Sequence, residues 1–241
     1  MKILSIGNSF SCDAQRYLYK IASANGKELK CVNLYIGGCT LRQHYYNILD
    51  DAPKYKFEFN GENTGIEVSI SQALKSDKWD YVTLQQGSPE SFDFDNYTPY
   101  IEKLADYVRL YLPKSKILIH RTWAYPDNRE RLFKTGYQKT ADMFSDIDSA
   151  YKKAFRIINA DKIIPSGNAM LKAYTQNQDI VYRDMIHASF GFGRYLLGIV
   201  WYLTLFGAEG EFKHIDEFDE PVSNEEKELA YKIALETVTE N

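Results

Sequence analysis

The sequence predicts an α/β fold, a three-layer α/β/α sandwich in which helices cover both faces of a mainly parallel sheet. Short apolar runs recur near residues 3, 32, 82 and 118, and segments with helical spacing separate them. Right-handed crossovers would place the carboxyl ends of these strands at one edge of the sheet, where α/β proteins bind ligands. No repeat, low-complexity segment or linker divides the chain, so residues 1–241 are predicted to form one domain.

The amino-terminal elements follow from short apolar runs and helix-capping residues. A strand is predicted at 2–6, where Gly7 ends an apolar run, and Ser11 or Asp13 is expected to cap a helix over 14–25. The next predicted elements are a strand at 30–36, a helix from Thr40 to Leu49 and a strand at 79–84.

A β-hairpin is predicted near 55–70. Aromatic and charged residues alternate over 55–59, Asn60-Gly61 follows, and apolar residues alternate over 66–70. An Asn-Gly pair close to two alternating runs is a strong hairpin signal. We expect this hairpin to be a small excursion from the main sheet.

The carboxyl-terminal half is predicted to be mostly helical. A helix over 97–112 ends before a proline, and an apolar strand follows at 116–120. A long helical region over 130–159 is expected to break near Gly136 and Ser145. The remaining predicted elements are a short strand at 163–164 and helices at 166–175, 189–206 and 223–239.

Composition argues against nucleic-acid and membrane partners. The net charge is −4, the isoelectric point is near 5.7, and no Lys/Arg run carries interleaved aromatic residues. The longest apolar stretch, at 195–206, is too short to span a bilayer, and the run after Lys2 is too short for a signal peptide. The three cysteines, which show no metal-ligand spacing, are expected to be reduced thiols of a cytoplasmic protein: Cys12, Cys31 and Cys39.

Three residues at the two ends of the chain could form a nucleophilic site. Ser9 follows the first strand, and Asp184 and His187 are spaced i, i+3 near the other end. A serine needs a base to become a nucleophile, and the base needs an acceptor that fixes its tautomer. The alternative role of Ser9 is an ordinary helix cap, and isolated histidines such as His44, His120 and His214 are more often structural.

Glycines and amides follow two further strands at the same predicted edge. Gly37-Gly38 can let a substrate approach the backbone and can offer an N–H group to an oxyanion. Gln85-Gln86 can offer side-chain amide donors. Each pair also fits a simple turn or loop. The motifs GxSxG, GxGxxG and GxxxxGK[ST] are absent, and neither a metal nor an organic cofactor is implied.

Together these segments resemble the blocks of the SGNH (GDSL-like) hydrolase superfamily. Ser9 matches the serine of its first block, Gly37 or Gly38 the glycine of its second, and Asp184 with His187 its final DxxH block. The details GNSFS, LQQGS and RTWAY look like the DUF4886 family of bacterial proteins. The resemblance implies a flavodoxin-like SGNH hydrolase fold with a Ser9–His187–Asp184 catalytic triad.

Two positions depart from the superfamily pattern. Asn8 stands where the GDSL motif has Asp, and the third-block GxND is missing, so its oxyanion-binding Asn has no direct counterpart. Gln86-Gly87 resembles the Gln-Gly-Glu found at this block in some SGNH carbohydrate acetylesterases. The implied oxyanion hole is therefore the backbone N–H groups of Ser9 and Gly38 with the Gln86 amide, and Gln85 is the reserve.

The expected activity is hydrolysis of small, acetyl-type esters on a carbohydrate. The resemblance implies an esterase, and a predicted edge rich in tyrosine and tryptophan favours sugars over long acyl chains. The expected substrate contacts are Gly37, Gln85, Trp123 and Tyr125, with Tyr45 and Tyr46 nearby.

Two alternatives stay open at this point. The missing third-block Asn also suits a catalytically silent carbohydrate-binding protein. A thiol of Cys12 or Cys39 beside His187 or His44 could instead act as the nucleophile. Neither the acyl group, the alcohol nor the oligomeric state follows from the sequence.

Overall fold

The computed structural model describes residues 1–241 and contains seven strands: β1 (Lys2–Gly7), β2 (Lys30–Tyr35), β3 (Tyr55–Phe59), β4 (Glu62–Val68), β5 (Tyr81–Leu84), β6 (Lys116–His120) and β7 (Lys162–Ile164). They form one sheet in the order β4-β3-β2-β1-β5-β6-β7. The part from β2 to β7 is parallel throughout, with the strand order of flavodoxin-like folds. The prediction of a mainly parallel α/β sheet is confirmed.

Ten helices accompany the sheet: α1 (Ser9–Gln15), α2 (Leu18–Ala24), α3 (Leu41–Asp50), α4 (Ile70–Lys75), α5 (Tyr100–Tyr111), α6 (Glu130–Phe133), α7 (Thr140–Ile157), α8 (Ser166–Gln176), α9 (Phe192–Phe206) and α10 (Asn224–Thr239). Helix α9 packs against α1, α2, α8 and α10, whereas α3, α4 and α5 pack on one another. The residues of β1 after Lys2 are buried on both sides of the strand, so helices cover both faces of the sheet.

The central apolar runs form the core because neither face of their strands meets water. Ile3, Leu4 and Ile6 of β1 are at most 1% exposed, and they belong to one hydrophobic cluster of 62 buried residues. Helix α9 is buried along nearly its whole length, which explains the apolar stretch seen in the sequence. No helix has both the length and the apolar character that crossing a membrane requires.

The hairpin at β3 and β4 is part of the main sheet, so its prediction as an excursion is wrong. Strand β3 pairs antiparallel with β2, and β4 then forms the outer edge. The outer edge of β2 carries unpaired backbone groups, and the hairpin satisfies them by extending the sheet. The outer strand β4 is exposed and polar, and its pairing with β3 shifts register between Lys56 and Glu58. Both features limit the pairing of a further strand at this edge of the sheet.

Three helix boundaries also differ from the prediction. Helix α1 begins at Ser9 rather than near residue 14, because the Asn8 side chain caps it by accepting from the Phe10 N–H group at 3.0 Å. The helical region after residue 130 breaks around Gly136 but continues through Ser145. Helix α4, which Ser69 caps, was not predicted.

Candidate active site

A small cavity opens where the carboxyl ends of β1, β2 and β5 meet, at the switch point of the parallel strand order. Ser9 directly follows β1, and Gly37-Gly38 follows β2. The cavity has a volume of about 220 Å³ and is lined by Asn8, Ser9, Tyr35, Gly37, Gly38, Ser88, Pro89, Arg131, Ile186 and His187.

Ser9, His187 and Asp184 form one hydrogen-bonded chain at this cavity. The Ser9 hydroxyl lies 3.0 Å from His187 Nε2, and His187 Nδ1 lies 2.8 Å from Asp184 Oδ2. With Nδ1 protonated, the imidazole donates to the carboxylate and leaves Nε2 free to accept the serine proton. The chain of contacts has the order that nucleophilic serine catalysis requires.

The Asp184 carboxylate is held by its own loop. Its Oδ1 accepts the backbone N–H groups of Ile186 at 2.8 Å and of His187 at 2.7 Å. Burial raises the pKa of Asp184, but these hydrogen bonds and the His187 side chain outweigh it and hold the pKa below its usual range. Asp184 is therefore a carboxylate that orients His187 from a fixed position.

An ion-pair cluster fastens this loop to α1. Arg183 precedes Asp184, and its Nη1 donates to both carboxylate oxygens of Asp13, at 2.9 and 3.0 Å, and to the Ala188 carbonyl. Arg194 donates to the same carboxylate at 2.8 Å. Asp13 is only 1% exposed and lies one helical turn after Ser9. Its ion pair with Arg183 therefore couples the helix of Ser9 to the loop of His187.

Two stacked aromatic rings support His187 from below. The rings of Phe10 and Trp123 are parallel within 2°, with centroids 3.9 Å apart. The rings of Phe10 and His187 are inclined at 71°, with centroids 6.0 Å apart. The Trp123 indole N–H donates to the Ile186 carbonyl at 2.9 Å. Trp123 and Tyr125 are fully buried and line no part of the cavity, so the prediction that they contact substrate is wrong.

Ser9 and Gly38 line the cavity, and their backbone N–H groups have no intramolecular acceptors. Ser9 is the first residue of α1, where an N–H group has no intrahelical partner, and Gly38 has a φ of 64° in the loop after β2. Gly37 and Gly38 are exposed in the cavity wall. The structure thus brings the predicted glycines and the serine together at one opening.

Gln85 and Gln86 lie behind this opening, so the prediction of Gln86 as an oxyanion donor is not supported. The Gln86 amide donates to the Asn96 carbonyl at 2.9 Å, and its oxygen accepts the Leu41 N–H group at 2.8 Å. The side chain is fully buried and absent from the cavity wall. The nitrogen and oxygen of the Gln86 side chain thus connect the segments that contain Asn96 and Leu41.

Gln85 has a similar supporting role rather than the predicted contact with substrate. It donates to Asn8 Oδ1 at 2.8 Å, and its oxygen lies 2.7 Å from Nδ1 of buried His120. Burial lowers the pKa of His120 to about 3, so this imidazole is neutral. The pair forms a polar link beneath the cavity.

The sequence analysis gave no site role to several residues of the cavity wall, among them Tyr35, Ser88 and Arg131. Ser88 belongs to the LQQGS run that the sequence did single out, two residues beyond Gln86. Its hydroxyl accepts from the Tyr125 hydroxyl at 2.9 Å, which leaves the Ser88 proton free to donate. Arg131 lies in a segment without any motif, so no sequence signal pointed to it.

The thiols lie outside the cavity wall. Burial raises the pKa of Cys39 to about 12, and burial with the charge of Glu58 raises that of Cys12 further. Cys39 contacts His44 Nδ1 at 3.4 Å, but this imidazole is buried and its pKa is lowered to about 3. These surroundings disfavour a thiolate nucleophile. Nowhere in the chain do three or more His, Cys, Asp or Glu side chains form a group that could hold a metal ion.

The fold is similar to that of solved structures described as SGNH or GDSL-like hydrolases. A protein from Slackia heliotrinireducens, provisionally assigned to the SGNH hydrolases, aligns with a TM-score of 0.62 and 22% identity over 85% of this chain and 98% of its own. A carbohydrate esterase of family 3 from Talaromyces cellulolyticus aligns with a TM-score of 0.53 and 10% identity over 85% and 96% of the two chains. Both likenesses are likenesses of fold.

The family is narrower than this class. Residues 2–237 match the family described as "Domain of unknown function (DUF4886)". The crystal structure of a DUF4886 family protein from Bacteroides uniformis aligns with a TM-score of 0.88 and 32% identity, over 99% of this chain and 95% of that one. The chain belongs to the DUF4886 family. No curated protein matches it.

Proposed function

We propose that this protein is a serine esterase that hydrolyses small, acetyl-type esters of carbohydrates. The observation that carries the proposal is the continuous contact from Ser9 Oγ through His187 to Asp184, at 3.0 and 2.8 Å, in the wall of a cavity. A serine that only capped its helix would not need a histidine and a carboxylate in line, and here Asn8 already provides the cap.

The proposed reaction is acyl transfer to water in two halves. Ser9 Oγ attacks the ester carbonyl while His187 Nε2 accepts its proton, and the protonated imidazole is stabilised by Asp184. The tetrahedral intermediate collapses, its bond to the alcohol oxygen breaks, and His187 gives its proton to that oxygen. Water then attacks the acyl-enzyme with His187 again as base, and the carboxylic acid and Ser9 are released.

The oxyanion would be held by the N–H groups of Ser9 and Gly38 with the Ser88 hydroxyl as third donor. Ser88 replaces Gln86 in this role because it lines the cavity and its proton is free, whereas the Gln86 amide is bound to Asn96. One such donor typically stabilises the transition state by about 3 kcal/mol.

The preference for a small acyl group rests on the size and polarity of the cavity. About 220 Å³ leaves little room for a long chain, and most of the ten wall residues are polar or glycine. Tyr35 adds an aromatic ring to the wall, and the two exposed glycines add backbone hydrogen-bonding groups, a combination that suits a sugar. Faster cleavage of long-chain than of acetyl esters would count against this part of the proposal.

The second candidate is a carbohydrate-binding protein that does not turn its ligand over. It is favoured by one observation, the absence of a third-block amide in the cavity, since Gln86 is used elsewhere. It predicts that a sugar binds saturably and that neither Ser9 nor His187 is needed for this binding.

The deciding experiment compares wild type, Ser9→Ala and Ser145→Ala. Ser145 is an exposed serine in the middle of α7 and serves as the matched control. Hydrolysis of p-nitrophenyl acetate and butyrate and labelling by a fluorophosphonate should be present in wild type and control and absent in Ser9→Ala. Turnover that survives in Ser9→Ala, or no turnover and no labelling in any protein, would reject the esterase.

A further inference from the structure

A continuous chain of hydrogen bonds between buried side chains begins in the wall of the candidate active site and runs behind it. Its members come from separate segments and are at most 2% exposed: Asn8, Gln85, His120, Ser166 and Trp201. Gln85 Nε2 lies 2.8 Å from Asn8 Oδ1, and Gln85 Oε1 lies 2.7 Å from His120 Nδ1. Ser166 Oγ lies 3.0 Å from His120 Nε2 and 3.2 Å from Trp201 Nε1. Only Asn8 lines the cavity itself.

The backbone fixes which end of the Asn8 side chain donates and which accepts. Asn8 Oδ1 accepts from the Phe10 N–H group at 3.0 Å, and Asn8 Nδ2 donates to the Cys39 carbonyl at 3.0 Å. An N–H group can only donate and a carbonyl can only accept, so this amide cannot be reversed. Gln85 must therefore present its NH₂ group to Asn8 Oδ1 and its oxygen to His120.

The same reasoning assigns the proton of His120. Because Gln85 Oε1 can only accept, His120 Nδ1 must carry a proton. Burial lowers the pKa of His120 to about 3, so the ring is neutral and its Nε2 carries none. Nε2 then accepts from the Ser166 hydroxyl, whose oxygen accepts from the Trp201 indole N–H. Only one of the two neutral tautomers of His120 fits this arrangement.

The chain of hydrogen bonds ends at the residues that the proposed reaction uses. Asn8 directly precedes Ser9, and Cys39, whose carbonyl it holds, directly follows Gly38. Without a donor at His120, the Gln85 oxygen would lose its partner and the amide could reverse. A reversed amide would set the Gln85 oxygen against Asn8 Oδ1, and this repulsion in a buried position would displace Asn8 from the Cys39 carbonyl.

We propose that His120, as its Nδ1-protonated tautomer, is a positioning residue that sets the distance between Ser9 and Gly38. It acts by holding Gln85 in the orientation that keeps Asn8 on the Cys39 carbonyl. The effect on turnover rests on the proposed esterase function, whereas the tautomer and the placement of the two residues do not. A histidine that only filled the core would have no effect on Ser9 beyond packing.

NMR of the uniformly ¹⁵N-labelled full chain tests the tautomer, through correlations that join the ring nitrogens of each histidine to its ring protons. The chain has four histidines, and the pattern that disappears in His120→Asn belongs to His120. At neutral pH we expect a neutral ring with its proton on Nδ1. A ring protonated on Nε2 alone, or a charged ring, would overturn the proposal. This measurement decides the question even if a variant does not fold.

Two variants of similar shape separate the N–H donor from the packing of the ring. His120→Asn and His120→Leu both remove the ring, whose centroid lies 4.9 Å from that of Trp201, so both should lose stability. The Asn variant keeps an N–H donor near the position of Nδ1, whereas the Leu variant leaves Gln85 Oε1 without one. The backbone amide signals of Ser9 and Gly38 should therefore shift in His120→Leu and stay near their wild-type positions in His120→Asn. Equal shifts in both variants would reduce His120 to a packing residue.

Hydrolysis of p-nitrophenyl acetate by the same variants tests the consequence for turnover. His120→Leu should lower kcat and kcat/KM about tenfold with KM unchanged, the pattern of an interaction that acts in the transition state. His120→Asn should stay within about twofold of wild type, because it keeps the donor. An active wild type whose two variants lose kcat equally would overturn the positioning role. A wild type that does not hydrolyse the ester would reject the esterase, and the NMR results on His120 would still decide this proposal.

Discussion

The side-chain amide of Asn8 donates from Nδ2 to the Cys39 carbonyl at 3.0 Å, and so joins the turn before Ser9 to the loop that carries Gly38. Its Oδ1 accepts from the Phe10 N–H group and the Gln85 amide at 3.0 and 2.8 Å. Asn8 is 2% exposed. One end of this side chain must donate and the other must accept, which explains why an amide replaces the Asp of the GDSL pattern.

Asn8→Asp should therefore be harmful although it restores the common motif. It places a carboxylate oxygen against the Cys39 carbonyl in a buried position, and we expect a loss of about 2 kcal/mol in the free energy of unfolding. Urea denaturation measures this loss. The loop of Gly38 should also loosen, so kcat on p-nitrophenyl acetate should fall.

The control for Asn8→Asp is Asn224→Asp, which adds the same charge at the exposed first turn of α10. A negative charge there is neutral to slightly stabilising. If Asn8→Asp and Asn224→Asp have the same stability and activity, the link from Asn8 to Cys39 has no measurable role.

The residues whose relative positions agree with the sequence prediction are those set by strand ends and local spacing. Ser9 follows β1 and Gly38 follows β2, so a parallel sheet alone brings them to one edge. The i, i+3 spacing of Asp184 and His187 fixes their contact within one loop. Sequence distance does not obscure such features, because each depends on a strand end or a single turn.

The parts that failed depend on partners far away in the chain. Gln86 was expected to face the cavity, but Asn96 and the Leu41 N–H group bind its two ends. Trp123 was expected to contact substrate, but its ring is buried and stacks on Phe10. The hairpin joined β2 because of that strand's open edge, which its own sequence does not reveal. These contacts depend on tertiary packing, which a local sequence pattern does not reveal.

Replacing Gln86 should mainly lower stability, whereas replacing Ser88 should mainly lower catalysis. Gln86→Leu leaves the N–H groups of Leu41 and Gly87 without their acceptor, so it should lose about 2 kcal/mol of stability. Ser88→Ala should keep most of the stability but lower kcat about 100-fold, the typical effect of one oxyanion donor. Thermal unfolding and steady-state kinetics on both variants measure these effects. Unchanged kcat in Ser88→Ala would remove it from the oxyanion hole.

The pair of Asp13 and Arg183 should matter for both stability and geometry. Asp13→Asn leaves Arg183 and Arg194 without their shared buried carboxylate, and we expect a loss of about 3 kcal/mol, measured by urea denaturation. Arg183→Lys keeps the charge, but the shorter side chain does not bring its nitrogen to the position from which Nη1 contacts both Asp13 oxygens and the Ala188 carbonyl. It should lower kcat with little change in KM, because the loop of His187 shifts. A rise in KM alone would contradict this positioning role.

Asp184→Asn should lower kcat by roughly 10³-fold, because an amide no longer fixes the protonated Nδ1 of His187 or stabilises its charged form. It should also alter the dependence of stability on pH. The pKa of Asp184 is lowered in the folded protein, so the ionised group stabilises the fold above the pKa of the unfolded chain. That contribution is lost as the pH falls through the folded pKa.

The melting temperatures of wild type and Asp184→Asn, measured from neutral to acid pH, test this sign. The difference should be largest near neutral pH and should narrow below about pH 4, the usual range of an aspartate. Asp50→Asn, an exposed carboxylate paired only with Lys54, is the control and should retain full activity. A gap between wild type and Asp184→Asn that widens in acid would show that the carboxylate is not stabilised as its hydrogen bonds imply.

Arg131 should select substrates by charge. It is the only permanently charged group in the cavity wall, and it has no carboxylate partner within ion-pair distance. An exposed guanidinium at the mouth of the site attracts a carboxylate that lies beside the ester. We therefore expect acetylated glucuronic acid to have a higher kcat/KM than acetylated glucose. Arg131→Ala should lower kcat/KM for acetylated glucuronic acid about tenfold, the effect of a charged hydrogen bond, and leave kcat/KM for acetylated glucose unchanged.

Arg129→Ala, two residues earlier on the same exposed segment and outside the cavity wall, is the matched control. The neutral ester reports on the triad and the charged ester on Arg131, so equal losses on both esters would mean that Arg131 shapes the cavity rather than reads the charge of the sugar.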